Sequence, residues 1–478
     1  MVSYEIVDFF RVKDIVNYRL KFQVPLSYSG VEIPGCTVKE IYVVANITQK
    51  YDEKLHDVRV FPEAKTNLVL PEKPKIICYV QGGPGFPCGV PLSSTAFTKV
   101  LLDRGYQILF LDQRGTGLST PLEVGTFSHL LPQINGELKE EYASRQLKFI
   151  VNFRADSIVE DYEFVRKALG IEKWSLLGQS YGGFTSFTYL SKYDTSLKEV
   201  LVTGGVPPIN FSPDDVHSAT YARTRERNEH YYDKYPQDKL KVRNILTYLS
   251  KNKVTLPNGG NLSVERFQQL GLLFGASGGT DHIHQLVVKF DYDLSTFGFP
   301  TYQILNEVQN DSTFDTNVIY PLFLEAIYCD GTGLGKKLSE WSSDRLRYAT
   351  ENTKFVFSED SDHEVYFTGE MVYKSLYEDF AELKKFKELA YALHNNKEWS
   401  SLYDAKRLYE TKVPIVSATY VYDQFVDFDL TRAVKKEVFK GNGNLKQYIS
   451  SEFFHNGVRA DAEKVLGSLF DLLDCEID

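Results

Sequence analysis

The chain has 478 residues, 43% of them hydrophobic and 14% aromatic, which is ample for one large core with an insertion or for two domains. Its formal net charge of −10 gives no basic footprint, which argues against nucleic acid and an anionic membrane surface as partners. The first residues, MVSYEIVDFFRVKD, lack a signal-peptide block, no uncharged apolar run reaches bilayer length, and Cys36, Cys78, Cys88, Cys329 and Cys475 are scattered without metal spacing, so a soluble, cytoplasmic protein is expected.

From Leu20 to about Val60, short alternating or β-branched runs (LKFQVPL, EIYVVANI, DVRVF) predict an antiparallel opening sheet. Lys75 to Val80 predicts a strand and runs into a turn, Gln81 to Phe86 (QGGPGF). A helix-like FTKVLLDRGY leads to a strand at Gln107 to Leu111 and a second loop, DQRGTGLST, from Asp112 to Thr120. Ala155 to Leu169 spaces Ile158, Tyr162, Val165 and Leu169 as one face of a helix. The apolar run Trp174 to Leu177 follows, then a crowded turn, then a helix from Phe184, and Glu199 to Gly204 is again a strand. Strands and helices alternating with short connections predict a mostly parallel sheet covered on both faces, with ligands at the carboxyl ends of the strands.

Beyond Val206 the alternation stops. The chain becomes charged and helix-rich, with YARTRERNEHYYDKYPQDKLKVRNILTYL as its clearest helical block and LPNGGNLS as a turn. Strand character returns at Val413 to Tyr420, and a helical pattern closes the chain from Ala460 to Leu473. The expected organisation is a core formed by 1–205 and 406–478, interrupted by a helix-rich cap at 206–405.

The turn between Trp174 and Phe184 is G-x-S-x-G, Gly178 to Gly182, between a strand and a helix. A serine hydroxyl is a weak nucleophile, and this context stands Ser180 on a tight turn where a base can reach it. The base and its acid should follow in the order Ser, Asp or Glu, His. Of nine histidines only His455 lies beyond the return strand, which makes it the candidate base. Asp423, at the end of VPIVSATYVYD, is the candidate acid, with Asp427 and Asp429 as competitors. Asp112 and Arg114 read as loop-bracing residues, because their loop lacks the endings of a phosphate cradle. His282 and His284 read as surface residues, and neither metal nor cofactor is expected.

With these residues assembled, the sequence resembles the prolyl aminopeptidases (proline iminopeptidases) of fungal type. The resemblance rests on QGGPGF, on DQRGTGLS at Asp112 to Ser119, on GQSYGG at Gly178 to Gly183, on HNG at His455 to Gly457, and on the cap segments RNEHYYDKYPQD and LEAIYCDG. It implies the α/β-hydrolase fold with an inserted helical cap. It also implies a serine peptidase releasing an N-terminal residue, preferentially proline, from small peptides through Ser180, His455 and Asp423. The oxyanion would be held by the backbone N–H groups of Tyr181 and Gly83, and the substrate's α-ammonium by cap glutamates, Glu325 and Glu370. Gln81 stands where the family's loop has histidine. A carboxylic-ester hydrolase and a catalytically weak, hydrolase-like binding protein remain as alternatives at this point.

Overall fold

The computed structural model describes residues 4–56, 68–331, 338–441 and 444–476. Among the described residues nine strands form one sheet: β1 (Tyr4–Val12), β2 (Ile15–Pro25), β3 (Glu40–Lys50), β4 (Ile76–Val80), β5 (Gln107–Leu111), β6 (Trp174–Gln179), β7 (Leu197–Thr203), β8 (Ile415–Tyr420) and β9 (Leu445–Ser450). Their order is β1-β2-β3-β5-β4-β6-β7-β8-β9. β1, β2 and β3 are antiparallel, β3 meets β5 antiparallel, and every pairing from β5 to β9 is parallel.

The period of two along a strand divides the core between the faces of the sheet. Ile76, Cys78 and Val80 of β4 pack with Trp174 and Leu176 of β6 and with Val200 and Val202 of β7. Ile77, Tyr79, Leu177 and Leu201 point to the other side. The first face is covered by the helices Ala155–Ala168 and Tyr181–Tyr193, through residues such as Ile158, Tyr162, Phe184 and Leu190. The second is covered by Ala96–Asp103 and Ala462–Leu473, through Leu101, Leu102, Val465 and Leu469.

Several boundaries differ from the sequence reading. The opening sheet begins at Tyr4, because β1 and β2 form a tight antiparallel pair with Val12 opposite Ile15. The segment DVRVF lies outside the described residues. The long helical block is two helices, Pro213–Lys234 and Asp238–Lys251. Pro236 divides them, since it has no N–H to donate and disfavours helical backbone at Tyr235, which takes φ −128°. The first helix starts at a capping box, in which the Ser212 hydroxyl accepts from the Asp215 N–H and the Asp215 carboxylate accepts from the Ser212 N–H. The last helix starts at Ala462, where the Asp461 carboxylate caps the Lys464 N–H.

Between β7 and β8 the described chain is helical and lacks strands. Part of it has its own apolar cluster, including Tyr231, Ile245, Phe267, Phe290 and Phe367. Another part, including Phe314, Ile319, Leu322, Phe380 and Leu389, joins the core of the sheet. That second contact brings Tyr320 and its neighbours down onto the loops at the carboxyl ends of β4 and β6.

Candidate active site

Ser180 follows β6 directly and precedes the helix Tyr181–Tyr193, with φ 57° and ψ −126°. This is the left-handed half of conformational space, costly for a residue with a side chain and held here by its surroundings. The surroundings require glycine. A Cβ on Gly182 would stand 1.9 Å from the Val80 carbonyl oxygen, and one on Gly178 would stand 2.6 Å from that of Gly182. The Ser180 N–H donates to the Thr203 carbonyl and its carbonyl accepts from the Gly183 N–H, so both flanks of the turn are tied.

Asp423 lies three residues past the end of β8 and is buried. Its Oδ1 accepts from the Phe425 N–H (2.8 Å) and the Val426 N–H (3.1 Å). That leaves Oδ2 for His455 Nδ1, 2.8 Å away. Neither competing aspartate makes this contact. Asp427 caps the helix Phe428–Glu437 by accepting from the N–H groups of Asp429 and Leu430, and Asp429 sits in that helix's first turn. Burial alone would lower the His455 pKa, but the charge and hydrogen bond of Asp423, with the charge of Glu370, outweigh it and hold the imidazole above its ordinary value. The Phe425 ring packs against the imidazole at 4.6 Å between centroids.

Ser180 and His455 both line a cavity of about 550 Å³. Its walls include Gly82, Gly83, Phe86, Leu272, Phe314, Tyr320, Glu370, Phe425 and Arg459. Gly83 lies in the turn after β4 with φ +124°, joined to Pro84 by a cis bond. Tyr181 is the first residue of the helix that follows Ser180, where N–H groups have no carbonyl one turn earlier in the helix. Gln81 also lines the cavity, and its side chain braces the turn. Its Nε2 donates to the Pro87 carbonyl at 2.7 Å, while its Oε1 accepts from the Gly82 N–H and the Tyr79 hydroxyl.

The two cap glutamates have different surroundings. Glu370 lines the cavity and accepts a 2.6 Å hydrogen bond from the Tyr320 hydroxyl. Burial pushes its pKa up to about 7, against the opposing effects of the Tyr320 hydrogen bond and the His455 charge. Glu325 is not among the lining residues, and the expectation that it meets the substrate amine is corrected here. Its carboxylate accepts from the N–H groups of Ser342 and Ser343 (2.9 Å each) and from the Ser343 hydroxyl (2.7 Å). His394 Nδ1 lies 3.1 Å from it and His217 Nε2 3.7 Å. Burial would raise the Glu325 pKa, but His394, His217 and the Ser343 hydroxyl prevail and hold it at about 2. A carboxylate so fully engaged has no oxygen left for a ligand, and it ties segments of the helical insertion to one another.

The remaining residues brace the site. The Arg114 guanidinium is buried and forks onto Asp161 at 2.5 and 2.6 Å, with further bonds to the carbonyls of Pro25, Leu26 and Asn152. Asp112 accepts from the N–H groups of Cys88 and Leu118. His282 is half-exposed and pairs with Asp311, whereas His284 is more buried than a surface residue, stacked on Tyr235 and paired with Asp238. Among the described residues no cluster of three or more His, Cys, Asp or Glu could hold a metal, and no helix is long and apolar enough to cross a membrane. The sequence reading missed Tyr320 and Arg459 as cavity residues. Arg459 carried a usable signal, a cation close after the candidate histidine in the chain.

The alpha/beta hydrolase fold family matches residues 75–370. A proline iminopeptidase of Aeromonas sobria is 38% identical over 401 residues, which is 84% of this chain and 88% of that protein. A proline iminopeptidase of Aspergillus aculeatus is 38% identical over 414 residues, 85% of this chain and 87% of that one. The solved proline iminopeptidase of Mycobacterium smegmatis aligns over 95% of this chain and 98% of its own, at 12% identity and a TM-score of 0.38. On the extent and identity of the two sequence matches, the chain belongs to the proline iminopeptidase family of α/β hydrolases.

Proposed function

We propose that this protein is a serine aminopeptidase that releases an N-terminal residue, preferentially proline, from small peptides, and that residues 206–405 act as the cap selecting the substrate. The observation that carries the reading is Glu370, a buried carboxyl on the wall of the cavity that Ser180 and His455 also line. An enzyme for neutral esters has no use for such a group. An aminopeptidase needs it, because a buried carboxylate binds an α-ammonium by charge-assisted hydrogen bonds that are both strong and directional.

The chemistry follows from the arrangement. The substrate's ammonium sits against Glu370, and the apolar side chain of its first residue against the aromatic wall that includes Phe86, Phe314 and Tyr320. Ser180 Oγ attacks the carbonyl carbon while His455 Nε2 takes the hydroxyl proton. Asp423, bonded to Nδ1, keeps that nitrogen protonated and stabilises the imidazolium that forms. The developing oxyanion is met by the N–H groups of Tyr181 and Gly83, each such donor worth about 3 kcal/mol in the transition state. His455 then gives its proton to the leaving amine, and water attacking by the reverse route releases the acyl group. The five cysteines, none of them in a disulfide, support the further reading that the enzyme works in the cytoplasm.

The test is release of a fluorophore from proline, alanine and leucine amides and from N-acetyl-proline amide, with the parent enzyme and Ser180→Ala. The expected result is fastest cleavage of the free proline amide, none of the acetylated one, and a loss of at least about 10⁴-fold in the mutant. Cleavage of the acetylated amide, or strong preference for a simple ester, would replace the aminopeptidase reading with an esterase one. No turnover of any substrate would point to a binding protein.

A further inference from the structure

The charged groups on the cavity wall differ in their partners. Glu370 accepts from Tyr320, Asp311 pairs with His282 at 2.8 Å, and His455 is bonded to Asp423. Arg459 also lines the cavity; it is exposed, its Nη2 lies 3.4 Å from Gln179 Oε1, and its guanidinium is within hydrogen-bonding reach of the Tyr79 hydroxyl. Among the described residues, no carboxylate lies within ion-pair distance of it. A guanidinium carries five N–H donors, and one without an ion pair, beside the residue that precedes the nucleophile, has donors left for a ligand.

Its place in the chain says which part of the substrate it faces. Arg459 stands in the short helix Gly457–Ala460 that follows His455, and its charge is felt at the imidazole, whose pKa it lowers. His455 must protonate the leaving nitrogen, so the first atoms of the leaving group lie next to that imidazole. In a dipeptide the terminal carboxylate carbon is only two bonds from this nitrogen, about 2.5 Å away. In a longer peptide, or a peptide amide, the same position holds a neutral carbonyl, which makes the weaker hydrogen bond.

We propose that Arg459 binds the free carboxylate of the leaving amino acid, which makes dipeptides the preferred substrate class of this site. The proposal rests on the aminopeptidase reading above. Glu370 takes the ammonium, Arg459 takes the carboxylate, and the two charges bracket the scissile bond.

The experiment compares kcat/KM for Pro-Gly and for Pro-Gly amide in the parent, Arg459→Gln and Arg459→Lys. The free acid should be favoured in the parent by about tenfold or more, the usual strength of a hydrogen bond to a charged group. The preference should fall to near unity in Arg459→Gln, survive in part in Arg459→Lys, and shrink with added salt. Because each value is a ratio within one enzyme, a general loss of activity in a variant does not affect it. Equal rates for acid and amide in the parent, or an undiminished ratio in Arg459→Gln, would overturn the proposal while leaving the aminopeptidase reading in place. Cleavage of neither substrate would overturn that reading and this proposal with it.

Discussion

Replacing Glu370 with glutamine should make the protein a poorer aminopeptidase and a more stable one. The rise of the Glu370 pKa from 4.5 to about 7 disfavours the charged form in the folded state by about 3 kcal/mol. Because the folded pKa lies above the unfolded one, this penalty is absent below about pH 4.5, grows as pH rises, and is complete above about pH 7. An arriving ammonium offsets it, and removing one partner of such a buried pair costs about 3 to 5 kcal/mol, so kcat/KM for a free proline amide should fall by roughly 100-fold or more. Glutamine can still accept from the Tyr320 hydroxyl, so the wall of the cavity is retained. In the parent, kcat/KM should rise with pH as Glu370, at about 7, and His455, above its ordinary value, both lose protons, and this acid limb belongs to the coupled pair. In Glu370→Gln one titration vanishes and the other moves down, because the carboxylate that helped hold the imidazole's proton is gone. The assay is fluorogenic turnover from pH 5 to 9 with thermal melting at pH 8. A variant that keeps parental kcat/KM, or that melts below the parent at pH 8, would refute the reasoning.

Asp423→Asn should keep the fold and lower kcat by roughly four orders of magnitude, because asparagine cannot hold the imidazole in the tautomer that leaves Nε2 free to accept. Asp427→Ala, a few residues on, should instead lose a helix cap, costing about 1 kcal/mol of stability by denaturant titration with kcat little changed. Glu325 predicts acid sensitivity. Its folded pKa of about 2 lies below the ordinary 4.5, so its contribution is full above pH 4.5 and is lost as pH falls toward 2. Urea midpoints measured down that range should fall less steeply in Glu325→Gln than in the parent, whereas parallel slopes would show that the carboxylate is not so engaged.

The features legible in the sequence were those whose physics is local. The nucleophile turn spans strand, tight turn and helix within about twenty residues, and the steric need for glycine at Gly178 and Gly182 is met by chain neighbours and by β4. The alternation that placed β4, β5, β6, β7 and β8 comes from strands buried on both faces, which write nearly continuous apolar runs. The edge strand β9, LKQYIS, is only partly buried and carries no such run, so it was missed.

What only the tertiary structure decided was the assignment of similar residues to different tasks. Asp423, Asp427 and Asp429 are the same side chain within seven positions; Asp423 and Asp427 each accept from two backbone N–H groups, but Asp423 alone also meets the His455 imidazole. Glu325 and Glu370 are both buried glutamates of one helical insertion. Glu325 is claimed by Ser342, Ser343 and His394, while Glu370 is left facing the cavity, and these partners lie up to 69 residues away along the chain. Composition and motif determine that a carboxylate is present. Whether its lone pairs are filled by the protein or left for a ligand depends on which segments the fold brings beside it, because a charge leaving water must find a partner wherever packing puts it.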